Sequence, residues 1–280
     1  MAWHGSLTLA YTRDTVHGAA RTLLRDRHDG PLRVLASLYP EASAVCHNVL
    51  VHPPGGLVGG DALEIDAELA HGSHALITTP GATRFYRSTG ATATQQLRAR
   101  LADGARLEWL PLETIAYSGC IGANQMRFAL APGAEMIGWD ILALGLPASG
   151  QAFERGRFLQ HIELPGRWLE RGAIDAADQR LLDSPLGWAG QRVMATLWFA
   201  AGAALPAARR ERLLDAARAL IDADALRPSA GATAVDDGVI VLRVLAPRVE
   251  PMMVLLTRVW AAWRDAAWAL PACVPRVWRT

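Results

Sequence analysis

Leu69-Ala70-His71-Gly72-Ser73-His74-Ala75-Leu76 decides the fold, because versions of it return twice. Leu101-Ala102-Asp103-Gly104-Ala105-Arg106-Leu107 and Leu130-Ala131-Pro132-Gly133-Ala134-Glu135-Met136 share its apolar start, its glycine and its apolar finish, with the glycines 32 and 29 residues apart. Apolar and polar residues alternate in or ahead of these copies, over 62–66, 96–101 and 125–130. That is the mark of a strand with one buried face. Glycine between two such strands supplies the backbone freedom of a tight turn. A looser fourth copy centres on Pro165-Gly166. A period of about 30 residues predicts stacked hairpin units on one elongated core, a β-helix-like, solenoid-type body. A β-sandwich of similar hairpins satisfies the same periodicity.

Working outward, the last third changes character. Residues 209–224 place Leu213, Ala217, Leu220 and Ile221 on one helical face, and Pro228 follows. Residues 239–245 read as a buried strand. Pro251 opens a second helix whose apolar face is Leu255, Val259, Ala262, Trp263 and Ala266, and an irregular tail over 271–280 follows. The expected molecule is mainly β with about two α-helices in the C-terminal third. It is a single domain over 1–280, with a β-rich repeat body over about 1–205 and a helix-containing part over about 206–280. Trp109, Trp139 and Trp168 each follow a repeat glycine and read as recurrent packing positions.

Composition removes several functions. Apolar residues at 51% against 20% charged fit a globular chain with a sizeable core. A net charge of +1 gives no general nucleic-acid surface. The basic residues are all arginine, so no Schiff-base or P-loop lysine exists. No charged leader with an apolar run opens the chain, and no stretch approaches the ~20 apolar residues of a membrane span. Cys46, Cys120 and Cys273 lack metal spacing and read as free thiols of a reducing cytosol. Neither a Gly-x-Ser-x-Gly elbow nor His-Glu-x-x-His is present. Glu108 and Glu113, five apart, give no glycosidase geometry. An enzyme is not expected.

Two motifs remain. His52-Pro53-Pro54-Gly55-Gly56-Leu57-Val58-Gly59-Gly60-Asp61 packs four glycines into six residues. It is either a tight turn or a device that presents the Asp61 carboxylate at a surface or passage. Thr78-Thr79-Pro80-Gly81-Ala82-Thr83-Arg84-Phe85-Tyr86-Arg87-Ser88 joins a turn to a strand carrying two arginines, as a structural turn or an anion site. Of the eight histidines (His4, His17, His28, His47, His52, His71, His74 and His161), only Cys46-His47 with His52, and His71 with His74, cluster locally. The second pair flanks a turn, where solvated side chains are expected. No four-ligand spacing appears. A transient, low-affinity path lined by carboxylates and a few histidines suits the composition better, because fast transfer needs weak sites.

At these residues the chain resembles the urease accessory protein family UreD, also called UreH. The resemblance rests on the two strings above, on Leu107-Glu108-Trp109-Leu110-Pro111 with Glu113, on Gly138-Trp139-Asp140 and on Leu144-Gly145-Leu146-Pro147-Ala148-Ser149-Gly150. It continues in Trp168-Leu169-Glu170 and Pro275-Arg276-Val277-Trp278. Leu112 stands where family members usually carry Gln, and 264–272 departs from the usual pattern. The resemblance implies a β stack with two helices. It also implies a cytoplasmic scaffold that binds UreF and, through it, the GTPase UreG, and docks on apo-urease for nickel delivery. It implies transient Ni2+ and no tightly bound cofactor. Asp61, Asp140 and Glu170 are then the candidate carboxylates of a nickel passage, and Arg84, Tyr86, Arg87 and Glu113 are partner or loop-fixing candidates. The competing reading is a β-solenoid protein-binding or structural module with no metal role.

Overall fold

The computed structural model describes residues 2–16, 18–41 and 45–279. Strands β1 (His4–Val16) and β2 (Ala19–Asp29) form a long antiparallel hairpin, and β3 (Arg33–Leu38) pairs antiparallel with β4 (Val45–Val51). Three solenoid turns follow. β5 (Ala62–Leu69) passes Gly72 into β6 (His74–Thr78) and a short β7 (Thr83–Phe85). β8 (Ala93–Leu101) passes Gly104 into β9 (Arg106–Leu110) and β10 (Thr114–Ala116). β11 (Cys120–Leu130) passes Gly133 into β12 (Glu135–Leu144). β13 (Gly156–Leu164), β14 (Trp168–Asp175), helix α1 (Gln179–Asp183), β15 (Val193–Ala201) and helix α2 (Ala207–Asp222) come next. β16 (Ala230–Asp236), β17 (Val239–Ala246) and helix α3 (Val249–Trp268) complete the described elements, apart from short 3-10 turns.

The solenoid expectation is met, with one difference in the local unit. The strands flanking Gly72, Gly104 and Gly133 do not pair with each other. Each crosses to the opposite sheet and pairs in parallel with its equivalent one turn on: β5 with β8, β8 with β11, β6 with β9, β9 with β12. The units are arches, not hairpins. Gly72 and Gly104 take φ of 68°, which favours glycine. Gly133 serves differently: a Cβ there would stand 2.2 Å from Asp103 Oδ1, which accepts its N–H. The fourth copy at Gly166 is a true hairpin, joining β13 and β14 antiparallel. There the repeat ends.

The result is a seven-stranded sheet, in the order β14-β13-β11-β8-β5-β1-β2, against a ten-stranded sheet whose main path is β16-β17-β15-β12-β9-β6-β4-β3. Helices α2 and α3 cover the outer face of the larger sheet, whose central strands β4, β6, β9, β12 and β15 are buried on both sides, while its edge strands β3 and β16 stay partly exposed. Side-chain parity shows it: Trp198 and Ala200 face the space between the sheets, while Leu197 and Phe199 face the helices. The recurrent tryptophans divide by the same rule. Trp109 and Trp168 pack between the sheets, and Trp139 packs under the helices.

The predicted helix faces are present. Leu213, Ala217 and Ile221 are buried on α2, as are Leu255, Val259 and Trp263 on α3. Pro251 lies in the first turn of α3, where its missing N–H would have no helical partner anyway. A third, short helix, α1, was not expected. Within the irregular tail, Arg276–Arg279 makes a 3-10 turn, and Trp278 donates to Thr78 Oγ1 at 2.8 Å.

Buried charge fixes α3 on its sheet. Glu108 and Arg264 are both fully inaccessible. Glu108 accepts from His74 Nε2 at 2.7 Å, Trp260 Nε1 at 2.6 Å and Arg264 Nε at 3.2 Å. Arg264 also reaches both oxygens of Glu41 and the Pro271 carbonyl, and Glu41 binds His47 Nε2 at 2.6 Å. Burial would raise the Glu108 pKa, but the His74 hydrogen bond and the Arg264 charge outweigh it, and the carboxyl lies below its usual range. Burial holds His74 below its usual value too, so the neutral imidazole donates Nε2–H. His74 is thus buried, contrary to the solvated role expected beside the Gly72 turn. Arg264→Ala would take from Glu41 and Glu108 the guanidinium that bridges them. The expected cost is about 3–5 kcal/mol, read by urea denaturation, with amide exchange quickening along α3.

Candidate functional site

A cavity of about 330 Å³ opens between the two motifs singled out in the sequence. His52, Pro53, Gly55 and Gly56 form one lip, and Thr79 through Arg84 form the other. A ladder of short parallel contacts sets these loops side by side: Leu57 bridges Phe85, β7 pairs with β10, and β10 pairs with the end of β12. Gly56 permits the approach, because a Cβ there would lie 2.4 Å from the Tyr86 ring. Inward, Leu50, Leu63, Ile65 and Met126 make the walls apolar.

The floor is polar. Asp140 on β12 is only 3% exposed. Its carboxylate accepts from Asn124 Nδ2 at 3.1 Å and from Gln160 Nε2, and Gln95 Nε2 donates to Asn124 Oδ1 at 3.3 Å. Gln95, Asn124 and Gln160 occupy one register row across β8, β11 and β13, on the inward face of the seven-stranded sheet. Burial pushes the Asp140 pKa up to about 6; Gln160 and Asn124 oppose the shift, and the nearby Glu170 charge adds to it. The inter-sheet space therefore holds one costly carboxylate in a shell of neutral amides. Such a shell can offer oxygen ligands to a divalent cation without binding it tightly.

All three buried side-chain polar atoms without a partner among the described residues are Trp109 Nε1, Thr196 Oγ1 and Trp198 Nε1. Thr196 lies opposite Asp140 in the β12–β15 register, and Trp109 and Trp198 both lie opposite Gly138, two residues away. Unpaired polar groups gathered beside the polar floor of a cavity mark a place suited to water or a polar ligand.

The candidate residues named from sequence do not form one cluster. Asp140 lines the cavity and Arg84 stands at its mouth. Asp61 is buried, and both its oxygens are taken by backbone: Oδ1 by Trp3 N–H at 2.8 Å, Oδ2 by Val58 N–H at 2.9 Å. It closes the glycine-rich turn and ties it to the start of β1. Glu170, on β14, pairs with Arg243 of β17 beyond the far side of Asp140. Tyr86 packs against Tyr117 with centroids 5.0 Å apart. The Arg87 side chain lies over Gly119, where a Cβ would meet its Cγ at 2.8 Å. Glu113 lines a separate pocket with Glu250, and burial raises its pKa, with Glu250 adding to the shift. Cys46, Cys120 and Cys273 are free, and no group of three or more His, Cys, Asp or Glu suited to a metal occurs among the described residues. His17 lies outside them. No helix of the described residues is long and apolar enough to cross a membrane.

Gln95, Asn124, Gln160 and Thr196 were missed. A signal existed for the amides: Leu97-Ala99-Leu101 and Met126-Phe128-Leu130 define the inward parity, and extending it backwards reaches Gln95 and Asn124.

The fold and cavity define a two-sheet β-solenoid with a helical cover and a buried polar floor. The family model for UreD urease accessory protein matches residues 4–279, and the chain belongs to that family. The "Urease accessory protein UreD" of Leptothrix cholodnii is 64% identical over 280 residues, covering all of both chains. That of Variovorax paradoxus is 62% identical with the same coverage. That of Methylibium petroleiphilum is 57% identical, again over the whole of each.

An aspartate with a raised folded pKa binds its proton more tightly folded than unfolded, so the contribution of Asp140 to stability is greatest below about pH 4 and is lost as pH rises through about 6. Asp140→Asn is expected to be more stable than the parent at pH 8 by about 1–3 kcal/mol, with the gain gone at pH 4. Urea melts at both pH values check this. Asp61→Ala removes an acceptor from two N–H groups and is expected to cost about 1–3 kcal/mol, with faster exchange at Trp3 and Val58.

Proposed function

We propose that this chain acts in urease maturation as a nickel-delivery scaffold, and that nickel passes through the space between its sheets. Membership of the UreD urease accessory family supports the role in maturation. The observation that carries the path is Asp140: an otherwise unfavourable buried carboxylate, ringed by amides, on the floor of a cavity. A buried carboxylate whose ionised form is disfavoured is explained if a cation uses it. Loose oxygen ligation, with no His or Cys set among the described residues, suits cargo that must leave again.

In this reading the chain works in the cytoplasm without catalysis of its own. It binds UreF, reaches the GTPase UreG through UreF, and docks on apo-urease, with no nucleic-acid or membrane partner. Arg212 on α2 and Arg258 on α3 are exposed and lie on the helical cover, a natural partner surface. The test is to co-express a urease operon with the parent chain, without it, or with Asp140→Leu, and to measure urease nickel content and activity. Nickel is expected to collapse without the chain and to fall at least tenfold with Asp140→Leu, while co-purification of the partners persists. Normal nickel loading without the chain overturns the role. Normal loading with a folded Asp140→Leu overturns the path.

A further inference from the structure

The polar interior does not stop at Asp140. Asp140, Thr196 and Arg243 occupy one register row across β12, β15 and β17. All three face the space between the sheets, since their neighbours of the same parity, Met136, Trp198 and Val241, pack there. In the opposite sheet, Gln160 continues to Gly172 of β14, and Glu170 lies two residues along on the same face. The row ends where Arg243 Nη2 donates to Glu170 Oε2. At that end the arginine side chain is 47% exposed and the glutamate 17%. Between this pair and Asp140 stands the Thr196 hydroxyl, wholly buried and without a hydrogen-bond partner among the described residues.

We propose that Arg243 is a gate on this interior path: its guanidinium closes the Glu170 end to divalent cations, and its release opens it. The inference rests on the passage read above and adds its regulation. A cation leaving Asp140 along the row meets Thr196, whose oxygen is a free neutral ligand, and then Glu170, whose charge is already neutralised. A fixed guanidinium also repels a divalent cation at short range. For Glu170 to receive the cation, Arg243 must turn away. Its exposure lets it do so, and a carboxylate on a docking partner is the chemistry that would draw it out. The path then opens when a receiver is in place and stays shut otherwise. Arg243 is a positioning residue, acting through Glu170.

The experiment is a Ni2+ titration of the full chain by calorimetry at low ionic strength, comparing the parent, Arg243→Met and Arg243→Met with Glu170→Gln. Arg243→Met is expected to bind Ni2+ at least tenfold more tightly than the parent, and the double variant is expected to lose that gain. Unchanged binding in a folded Arg243→Met makes the pair a clasp between sheet edges and overturns the gate. A gain that survives Glu170→Gln overturns it as well, since the new site then lies elsewhere. Arg243→Gln carries the same expectations and replaces Arg243→Met if that variant fails to fold. The passage itself is judged separately, by urease nickel content with Asp140→Leu. Loss there with no gain from Arg243→Met keeps the path and removes the gate.

Discussion

The central strands of the ten-stranded sheet, β4, β6, β9, β12 and β15, are buried on both faces, and the rest of the structure answers to that constraint. A polar side chain within them has no solvent to return to. It must find a partner toward the helices or toward the other sheet. Glu108 solves the problem on the helix side with His74, Trp260 and Arg264. Asp140 meets it on the inner side with two amides and no cation. The first arrangement is charge-compensated and stabilises the docking of α3. The second leaves a carboxylate whose ionised form is disfavoured. Two buried acids on neighbouring strands thus differ in role because they face opposite ways.

The architecture was legible because glycine-punctuated strands at a steady interval leave few choices. What periodicity could not supply was the partner of each strand. A strand, a turn and a strand describe a hairpin and an arch equally well. The distinction lies in whether the second strand pairs back or crosses to another sheet, and that depends on contacts about 30 residues away. Gly133 looks like Gly72 in sequence yet is required for a different reason, the Asp103 carboxylate pressed against it. His74 reads as a turn residue until the strand after the turn is known to lie beneath α3.

The site was legible in part. Asp140 and the two cavity lips emerged from motifs, and the lips adjoin because the repeat stacks them. The amide row did not emerge, since glutamine and asparagine at strand positions read as outward-facing polar residues. Their inward direction follows only when the parity of the apolar residues is carried past the point where the apolar pattern ends. Asp61 shows the converse. A carboxylate in a conspicuous motif turns out to serve the backbone around it.

The helical cover has a consequence for how the molecule is made. Arg264, Trp260 and Trp278 come late in the chain, yet they complete contacts begun by Glu41, Thr78 and Glu108. During synthesis the solenoid turns emerge first, with Leu76, Leu110 and Ile137 on an uncovered apolar face and Glu108 lacking its counter-ion. Until α3 leaves the ribosome, the nascent chain exposes a wide, sticky sheet that α2 alone can cover only in part. Translation rate and the occupancy of general folding helpers therefore bear on the yield of this protein more than on one whose layers close in the order they are made.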